Sequence, residues 1–221
     1  SGNALTLSLA SPGRGGLGWM VAYTRTDANE VNPLTSSRAI SNWGGRSVLT
    51  PNEDTTGPSN YLVKDRVTGA LNWSKAFVGN YKTTFGLVYE GRTGKPYSWT
   101  FHNDMNGDGL AGNDLLYIPK APGSGEVLFY GATAAAQKAN EDQFWAIVNS
   151  ESSLSGVRGG VVGRNNATAK FTNTFDLRIS QELPGFFAKH KGSIALDILN
   201  VGNLLNKEWG RIDEAGFQSA G

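Results

Sequence analysis

The feature that most constrains this chain is a strict alternation of apolar and polar residues over unusually long segments. Between residues 171 and 183 the odd positions are mostly apolar, including Phe175, Leu177 and Ile179, and every even position is polar. A period of two residues places successive side chains on opposite faces of a β-strand. The segment therefore predicts a strand with one apolar face and one polar face.

Five further segments show the same alternation, so the sequence predicts about six strands. They are residues 4–10, 17–24, 66–77, 81–92 and 193–199. Several contain about ten residues or more, whereas soluble strands average about 5–6 and a strand that crosses a bilayer needs about 9–11. A soluble antiparallel sheet with one solvated face gives the same alternation, so the strand pattern alone fits both structures.

The predicted connections alternate between short and long along the chain. Short connections fall at residues 11–16, 78–80 and 184–191, and long ones at 31–60 and 94–168. Outer-membrane barrels alternate short periplasmic turns with long extracellular loops, whereas loops of this length are uncommon in compact soluble domains. We therefore predict an all-β fold, an antiparallel transmembrane β-barrel segment of about six strands with long extracellular loops, one containing a helix.

That helix is predicted in the second long loop, at residues 133–149. Thr133 is a candidate N-cap because its hydroxyl can accept a hydrogen bond from a free amide of the first turn. Phe144, Ile147 and Val148 form an apolar stripe at helical spacing. The pattern is typical of an amphipathic helix.

The tight turn at Val78-Gly79-Asn80 predicts a hairpin whose register can be written out residue by residue. We expect Phe77 to pair with Tyr81. The further expected pairs are Trp73 with Phe85, Leu71 with Leu87, Gly69 with Tyr89 and Arg66 with Arg92. The last pair brings two like charges together. We expect Glu90, which lies diagonally opposite Arg66, to reduce the repulsion between the two arginines.

Composition removes several classes of function. The formal net charge is +1, which gives no support for nucleic-acid binding through bulk charge. Cysteine is absent and only two histidines are present, so thiol chemistry and Cys-ligated zinc are excluded, and no catalytic triad spacing is recognisable. The glycine-rich residues 156–164 lack the spacing of a phosphate-binding loop. We predict that they form the flexible segment in which the second long loop returns to the sheet. We therefore expect no enzymatic activity.

An acidic segment in the second long loop is the strongest candidate for a binding site. Its oxygen-bearing residues are Asp104, Asn106, Asp108, Asn113 and Asp114, with glycines between them. The start matches the D-x-N-x-D-G of a calcium-binding EF-hand loop, but the twelfth position is Leu115 instead of a glutamate. The segment predicts either a calcium site of different geometry or a loop held by local turns without metal.

Aromatic residues on and after the predicted strands allow two interpretations. The residues are Trp73, Phe85, Tyr89, Phe171 and Trp209. Tyrosine and tryptophan concentrate where a membrane protein passes from lipid to water. The same side chains can also form a platform for a carbohydrate, so both an aromatic belt and a sugar site remain open.

Four motifs in order resemble one family of membrane receptors. The segment Asn200-Val-Gly-Asn-Leu-Leu-Asn-Lys-Glu-Trp209 resembles the N-V-x-N-L-x-N-K-x-Tyr/Trp segment late in the barrels of TonB-dependent outer-membrane receptors. Ser41-Asn-Trp43, the acidic segment with the following Leu115-Leu-Tyr-Ile-Pro119, and residues 175–183 resemble the Oar-like (OmpA-related) branch. The resemblance covers nearly the whole chain.

This resemblance implies the C-terminal part of a 22-strand barrel in the outer membrane of a Gram-negative cell, with a plug that TonB drives from the inner membrane. We expect residues 1–221 to be a partial barrel domain, with the plug and the closing strands absent from it. The implied partners are outer-membrane lipid, the remaining strands and plug of the same receptor, TonB through the N-terminal part, and an unknown extracellular substrate.

The implied mechanism is capture of a substrate by loops 31–60 and 94–168, followed by passage through a charged lumen. The residues expected to line it are Lys64, Arg66, Lys82, Glu90, Arg92, Asp176, Arg178 and Glu182. The alternative function is a soluble, calcium-binding β-sandwich used in adhesion.

Overall fold

The computed structural model of the protein describes residues 1–187 and 190–213. The elements in chain order are β1 (Gly2–Arg14), β2 (Leu17–Glu30), α1 (Ala39–Gly44), β3 (Gly57–Pro58), β4 (Asp65–Val78), β5 (Tyr81–Arg92), β6 (Pro96–Tyr97), β7 (Tyr117–Ile118), α2 (Ala134–Ser150), α3 (Ser152–Ser155), β8 (Gly160–Val161), β9 (Ala167–Thr168), β10 (Thr172–Pro184) and β11 (Lys191–Ile198), followed by a 3₁₀ helix at Val201–Leu204. Residues 188 and 189 of the predicted last turn, and residues 214–221 of the predicted domain, lie outside the described residues.

Six long strands form one antiparallel sheet, in the order β1, β2, β4, β5, β10, β11. The predicted all-β, antiparallel fold and its six strands are confirmed. β1 and β11 are the two edges of this sheet, and no pairing joins them in the part of the chain that the structure describes. The short strands form one pairing with β2 and two small two-stranded sheets within the loops.

The hairpin of β4 and β5 has the predicted register along its length but not at its turn. Trp73 pairs with Phe85, and the other three pairs written out above are also found. At the turn Val78 pairs with Tyr81, so the prediction that Phe77 pairs with Tyr81 is wrong. The register shifts between Ala76 and Val78, because a two-residue turn closes the hairpin and a bulge absorbs the extra residue.

Cross-strand pairing places most of the large apolar side chains of the six strands on the same face of the sheet, whereas Met20 and Val88 lie on the other face. Residues that pair across neighbouring strands lie on the same face of the sheet, and along one strand every second residue lies on that face. This apolar face is formed by Leu5, Leu7, Leu9, Trp19, Val21, Leu71, Trp73, Phe85, Leu87, Phe175, Leu177, Ile179, Ile194 and Leu196. Many remain open to solvent; Leu5, Leu7 and Leu9, for example, are 64%, 65% and 68% exposed.

The buried apolar core lies outside the sheet, in the two long connections at one end of it. We call residues 31–64 and 93–171 the loop cap. Among the described residues, the buried apolar side chains all belong to it: Val48, Leu62, Leu115, Ile118, Trp145, Val148, Leu154, Val162 and Ala167. The sheet therefore has no buried apolar core of its own, whereas the cap has one.

Helix α2 confirms the predicted helix and its N-cap. The Thr133 hydroxyl accepts a hydrogen bond from the Ala136 amide at 3.2 Å. Trp145 and Val148 are buried against the core of the cap, whereas Ile147 is about half exposed. The predicted stripe is thus wrong for Ile147, because the face that packs is centred on Trp145.

Candidate functional site: the polar face and the loop cap

The residues predicted to line a lumen lie together on the polar face of the sheet. Arg66 is paired with Arg92 across β4 and β5, and Asp176, Arg178 and Glu182 point to the same side from β10. Lys82 and Glu90 share that side on β5. Lys64 precedes the first residue of β4, where its carbonyl accepts a hydrogen bond from the Thr26 amide. The sequence pattern therefore placed these side chains correctly relative to one another.

Opposite charges alternate across the strands of the polar face. The Arg66 Nε lies 3.3 Å from the Glu90 Oε1, which is the predicted diagonal relief of the Arg66–Arg92 contact. The Arg178 guanidinium lies 3.2 Å from Asp197, and the Lys191 ammonium lies 2.8 Å from Glu182. Such exposed pairs contribute little stability. Their effect is to keep the face polar and nearly neutral.

A cavity opens where the first loop of the cap meets the polar face. Its volume is about 380 Å³. The lining includes the hydroxyls of Thr24, Thr26, Ser59 and Tyr61 and the guanidinium of Arg66. The Arg66 guanidinium is already paired with Glu90, and the Ser59 hydroxyl donates to Glu30 at 2.9 Å, so a small polar ligand there would share these groups with their present partners.

Two buried arginines converge on the backbone where β2 ends and the cap begins. Arg46 donates to the carbonyls of Val31 at 3.2 Å, Pro51 at 2.6 Å and Glu53 at 2.9 Å. Arg164, more than 100 residues away in the chain, donates to the carbonyls of Val31 and Glu30. Both guanidiniums therefore bind the same backbone segment from the two loops of the cap.

The environment of Arg164 is unfavourable for its charge. Burial lowers the pKa of Arg164, and the nearby positive charge of Arg46 lowers it further. Neither guanidinium forms a salt bridge with a described residue, and the Nε of each has no hydrogen-bond partner. The sequence predicts only that the segment around Arg164 is a flexible part of the second long loop. Its role was missed because residues distant in the chain bury it.

Asn165 is the second connection between the two loops. Its backbone is left-handed, with φ at 55°, and its side chain is buried. The side-chain amide donates to the carbonyl of Pro58 at 2.7 Å and to the Asn60 side chain at 2.5 Å. Its backbone amide donates to the Ser98 hydroxyl at 2.9 Å. Asparagine tolerates this conformation better than most residues, so the connection depends on its identity.

The acidic segment forms a compact loop in which side-chain oxygens accept backbone hydrogen bonds. The Asp104 carboxylate accepts from the amides of Gly107 at 2.7 Å, Asp108 at 3.1 Å and Gly109 at 2.9 Å. Asn106 accepts from the Asp108 amide at 2.9 Å. Asp108 accepts from the Leu110 amide at 2.7 Å. These hydrogen bonds form the local turns that were predicted for a loop without metal. They also orient the side-chain oxygens that a calcium site would use.

The two last candidate ligands are in a different environment from the first three. Asn113 and Asp114 are buried, and Asp114 accepts a hydrogen bond from the Asn106 amide at 3.2 Å. No group of three or more His, Asp or Glu side chains close enough to hold a metal by themselves occurs among the described residues. A cation here would therefore also need amide or backbone oxygens.

The motif that ends in Trp209 folds back onto the apolar face. Asn200 adopts a left-handed conformation and donates its amide to the Asp176 carboxylate at 2.7 Å. The Phe175 ring then lies between Tyr89, at 4.7 Å, and Trp209, at 5.2 Å. Gly202 is packed so closely that a Cβ there would lie 2.8 Å from the Phe175 ring.

The five aromatics of the predicted belt thus fall into two groups on one face. Tyr89 and Trp209 flank Phe175 at the cap end, and an added Cβ at Gly91 would lie 2.9 Å from Phe171, which places Phe171 there as well. Trp73 stacks on Phe85 nearer the opposite end, with ring centroids 5.7 Å apart. Both the belt and the sugar platform stay predictions.

Comparisons with known proteins identify no relative of this chain. No family model matches it, and no curated protein or solved structure is significantly similar to it. In the described part of the chain, the helices are too short or too polar for any of them to cross a bilayer.

Proposed function

We propose that this chain is a β-barrel segment of an outer-membrane receptor of the TonB-dependent kind, which captures an extracellular substrate and passes it through a polar lumen. The observation that carries the proposal is the apolar face, which runs across six strands and stays uncovered by other described elements except near Phe175. Exposed apolar area of this extent is unfavourable in water, and lipid would cover such a face favourably.

Strand length supports the same proposal. Five of the six long strands contain 12–14 residues, which exceeds the roughly 9–11 residues that a tilted strand needs to cross a bilayer. Tyr81 and Tyr89, on the apolar side of β5, are separated by about 26 Å of strand at 3.3 Å per residue. At the tilt of about 35–45° that such strands have, this separation spans about 20 Å along the membrane normal, which fits within the apolar band of an outer-membrane barrel, about 25 Å tall.

The cap and the polar face supply the two steps of the proposed mechanism. The cap is anchored by Arg46, Arg164 and Asn165 and carries the cavity beside Tyr61 and Arg66. A polar substrate captured there would next meet the alternating charges of the polar face. Plug contacts and energy from TonB are implied by the resemblance of the motifs, and belong to the proposal on that basis.

The alternative of a soluble calcium-binding β-sandwich has less support. A sandwich requires a second sheet about 10 Å above the apolar face. Apart from the large sheet, the sheets found among the described residues are two pairs of two-residue strands within the cap. Neither pair is large enough to cover six strands.

Site-specific labelling tests the proposal directly, because the chain has no cysteine. An environment-sensitive fluorophore is attached at Leu87→Cys, on the apolar face, in the whole protein reconstituted in vesicles. We expect strong quenching by a quencher on the lipid chains and little by aqueous iodide. Thr84→Cys, on the polar face three residues away, is the matched control and should show the reverse. Equal access of iodide to both labels would overturn the proposal.

A further inference from the structure

Two arginines lie side by side on the polar face, at the end of the sheet that meets the loop cap. Arg66 on β4 is the cross-strand partner of Arg92 on β5, so both side chains leave the sheet on the same side. The Cβ atoms of such a pair are only about 4.5–5.5 Å apart, and like charges placed directly opposite each other are unfavourable. The pair is therefore a local concentration of positive charge.

The two guanidiniums have one carboxylate between them. The Arg66 Nε lies 3.3 Å from the Glu90 Oε1, whereas Arg92 forms no salt bridge with any described residue. The neighbouring strands offer no acidic partner in register, because Arg92 faces Thr172 on β10 and Arg66 faces Thr24 on β2. One positive charge in this row of the sheet is therefore left unbalanced.

Further from the cap, the charges of the polar face balance. The basic side chains there are Lys82, Arg178 and Lys191, and the acidic ones are Asp176, Glu182 and Asp197. The excess of positive charge is thus confined to the end of the sheet where the cavity opens.

The cavity between the first loop and the polar face has Arg66 in its wall. Its volume of about 380 Å³ is enough for a small molecule. The hydroxyls of Thr26 and Tyr61 line the same cavity, and neither hydroxyl forms a hydrogen bond with a described residue. Leu62 and Val63 add apolar surface to the lining. The cavity therefore combines a guanidinium and two available hydroxyls with an apolar wall.

One acidic residue of β2 contacts the lining of the cavity, but its charge already has partners. The Glu30 carboxylate accepts hydrogen bonds from the Ser59 hydroxyl at 2.9 Å and from the Asn60 amide at 2.9 Å. Arg164, whose guanidinium donates to the Glu30 carbonyl, also interacts with this carboxylate electrostatically. Glu30 is thus balanced by Arg164, and the unbalanced charge beside Arg66 remains.

We infer that this cavity binds the oxyanion of a small substrate, a carboxylate or a phosphate, with Arg66 and Arg92 as its cationic ligands. A guanidinium presents several N–H donors in one plane, and this arrangement matches the paired oxygens of either group. The oxyanion shares Arg66 with Glu90 and neutralises Arg92, while the apolar wall receives the rest of the molecule. The inference rests on the proposed function, because it names the class of substrate that the receptor captures.

Calorimetric titration of small aromatic anions into the whole protein, reconstituted in phosphatidylcholine vesicles, tests the inference. The probes are benzoate and phenyl phosphate, and benzamide is the neutral analogue. We expect saturable binding of at least one anion with a dissociation constant on the order of 1 mM, and binding of benzamide about tenfold weaker or less. The tighter anion identifies the preferred oxyanion. No saturable binding of either anion at about 10 mM, or equal binding of benzamide, would overturn the inference.

Two variants with opposite expected effects separate this site from general attraction of anions to the protein. Arg92→Gln removes the unpaired guanidinium and should weaken binding about tenfold. Glu90→Gln removes the carboxylate that competes for Arg66 and should strengthen binding about threefold. Arg14→Gln, at an exposed position at the opposite end of the sheet, is the control and should leave the affinity unchanged. Unchanged affinity in both test variants would contradict the assignment. If one of them does not fold, as judged by circular dichroism, the other decides alone.

The labels at Leu87→Cys and Thr84→Cys distinguish failure of this inference from failure of the proposed function. If the labels report lipid and water as expected but no anion binds, the receptor function stands and the anion site is rejected. If iodide reaches both labels equally, the proposed function is rejected, and the assignment of the anion as a captured substrate is rejected with it.

Discussion

The sheet and the loop cap are held together by different interactions. The sheet has the longest strands and the most extensive backbone pairing, yet its apolar side chains are half-buried on the central strands and exposed on the edge strands. The strands of the cap have only two residues each, yet the cap contains the buried apolar residues of the described structure, centred on Ile118, Val148 and Leu154. Hydrogen bonding alone therefore does not identify the part of this protein that folds around a core.

The difference shows which region depends on its surroundings. Burial of apolar surface is the main favourable term in folding, and the cap obtains it from its own residues. The sheet obtains little from within the described chain, so its stability depends on what covers its apolar face. Under the proposed function lipid covers that face, and the following predictions test the contrast from the largest expected effect to the smallest.

The largest effect is expected in the core of the cap. Leu154→Ala removes a fully buried side chain and should destabilise the cap by about 2–5 kcal/mol. Hydrogen exchange measured by mass spectrometry should then accelerate in α2 and around Ile118, while β4 and β5 stay protected. Leu128→Ala, at a position that is 94% exposed, is the control and should change neither region. Equal acceleration in the sheet would show that the two regions are not independent.

The second effect concerns the apolar face in a bilayer. Leu87→Arg should lower the free energy of unfolding in lipid vesicles by about 2–4 kcal/mol if the position lies near the midplane, because lipid does not solvate the guanidinium. Thr84→Arg places the same side chain on the polar face and should be mild. Urea titration of both variants in vesicles makes the comparison. Similar losses for the two variants would contradict the assignment of the faces.

A smaller effect is expected at the start of α2. Thr133→Ala removes the hydroxyl that accepts from the Ala136 amide and should destabilise the helix by about 1 kcal/mol. Thr133→Ser keeps the hydroxyl and should retain most of that stability. Exchange of the amides in the first turn measures the difference. A serine variant as unstable as the alanine variant would mean that the methyl group, not the cap, is what matters.

The smallest effect is a pH dependence in the turn between β7 and α2. The hydrogen bond from the Lys120 amide, together with the Lys120 ammonium, lowers the pKa of Glu126. A lowered pKa in the folded state means that the ionised carboxylate stabilises the turn above its unfolded pKa. This contribution is lost as the pH falls through the folded value. Exchange at the Lys120 amide, corrected for the intrinsic rate, should rise in that range. Glu126→Gln should show no such rise.

The sequence by itself determined the features that depend on neighbours in the chain. The period of two residues fixed the strands and their two faces, and the hairpin register away from the turn followed from the turn at Val78-Gly79-Asn80 together with that period. The N-cap of α2 followed from Thr133 and the first turn after it. These features were predictable because the groups that interact are only a few residues apart, or are repeated regularly along a strand.

Only the tertiary structure decided which side chains are buried in the cap. Arg46 and Arg164 converge on Val31 from two different loops, and Trp145 is buried where Ile147 was expected. The bulge at Phe77 depends on how the two-residue turn closes the hairpin. The burial of Asn113 and Asp114, unlike the first three residues of the acidic motif, is also set by the tertiary structure. Burial is set by contacts between residues distant in the chain, and a local pattern carries no record of them.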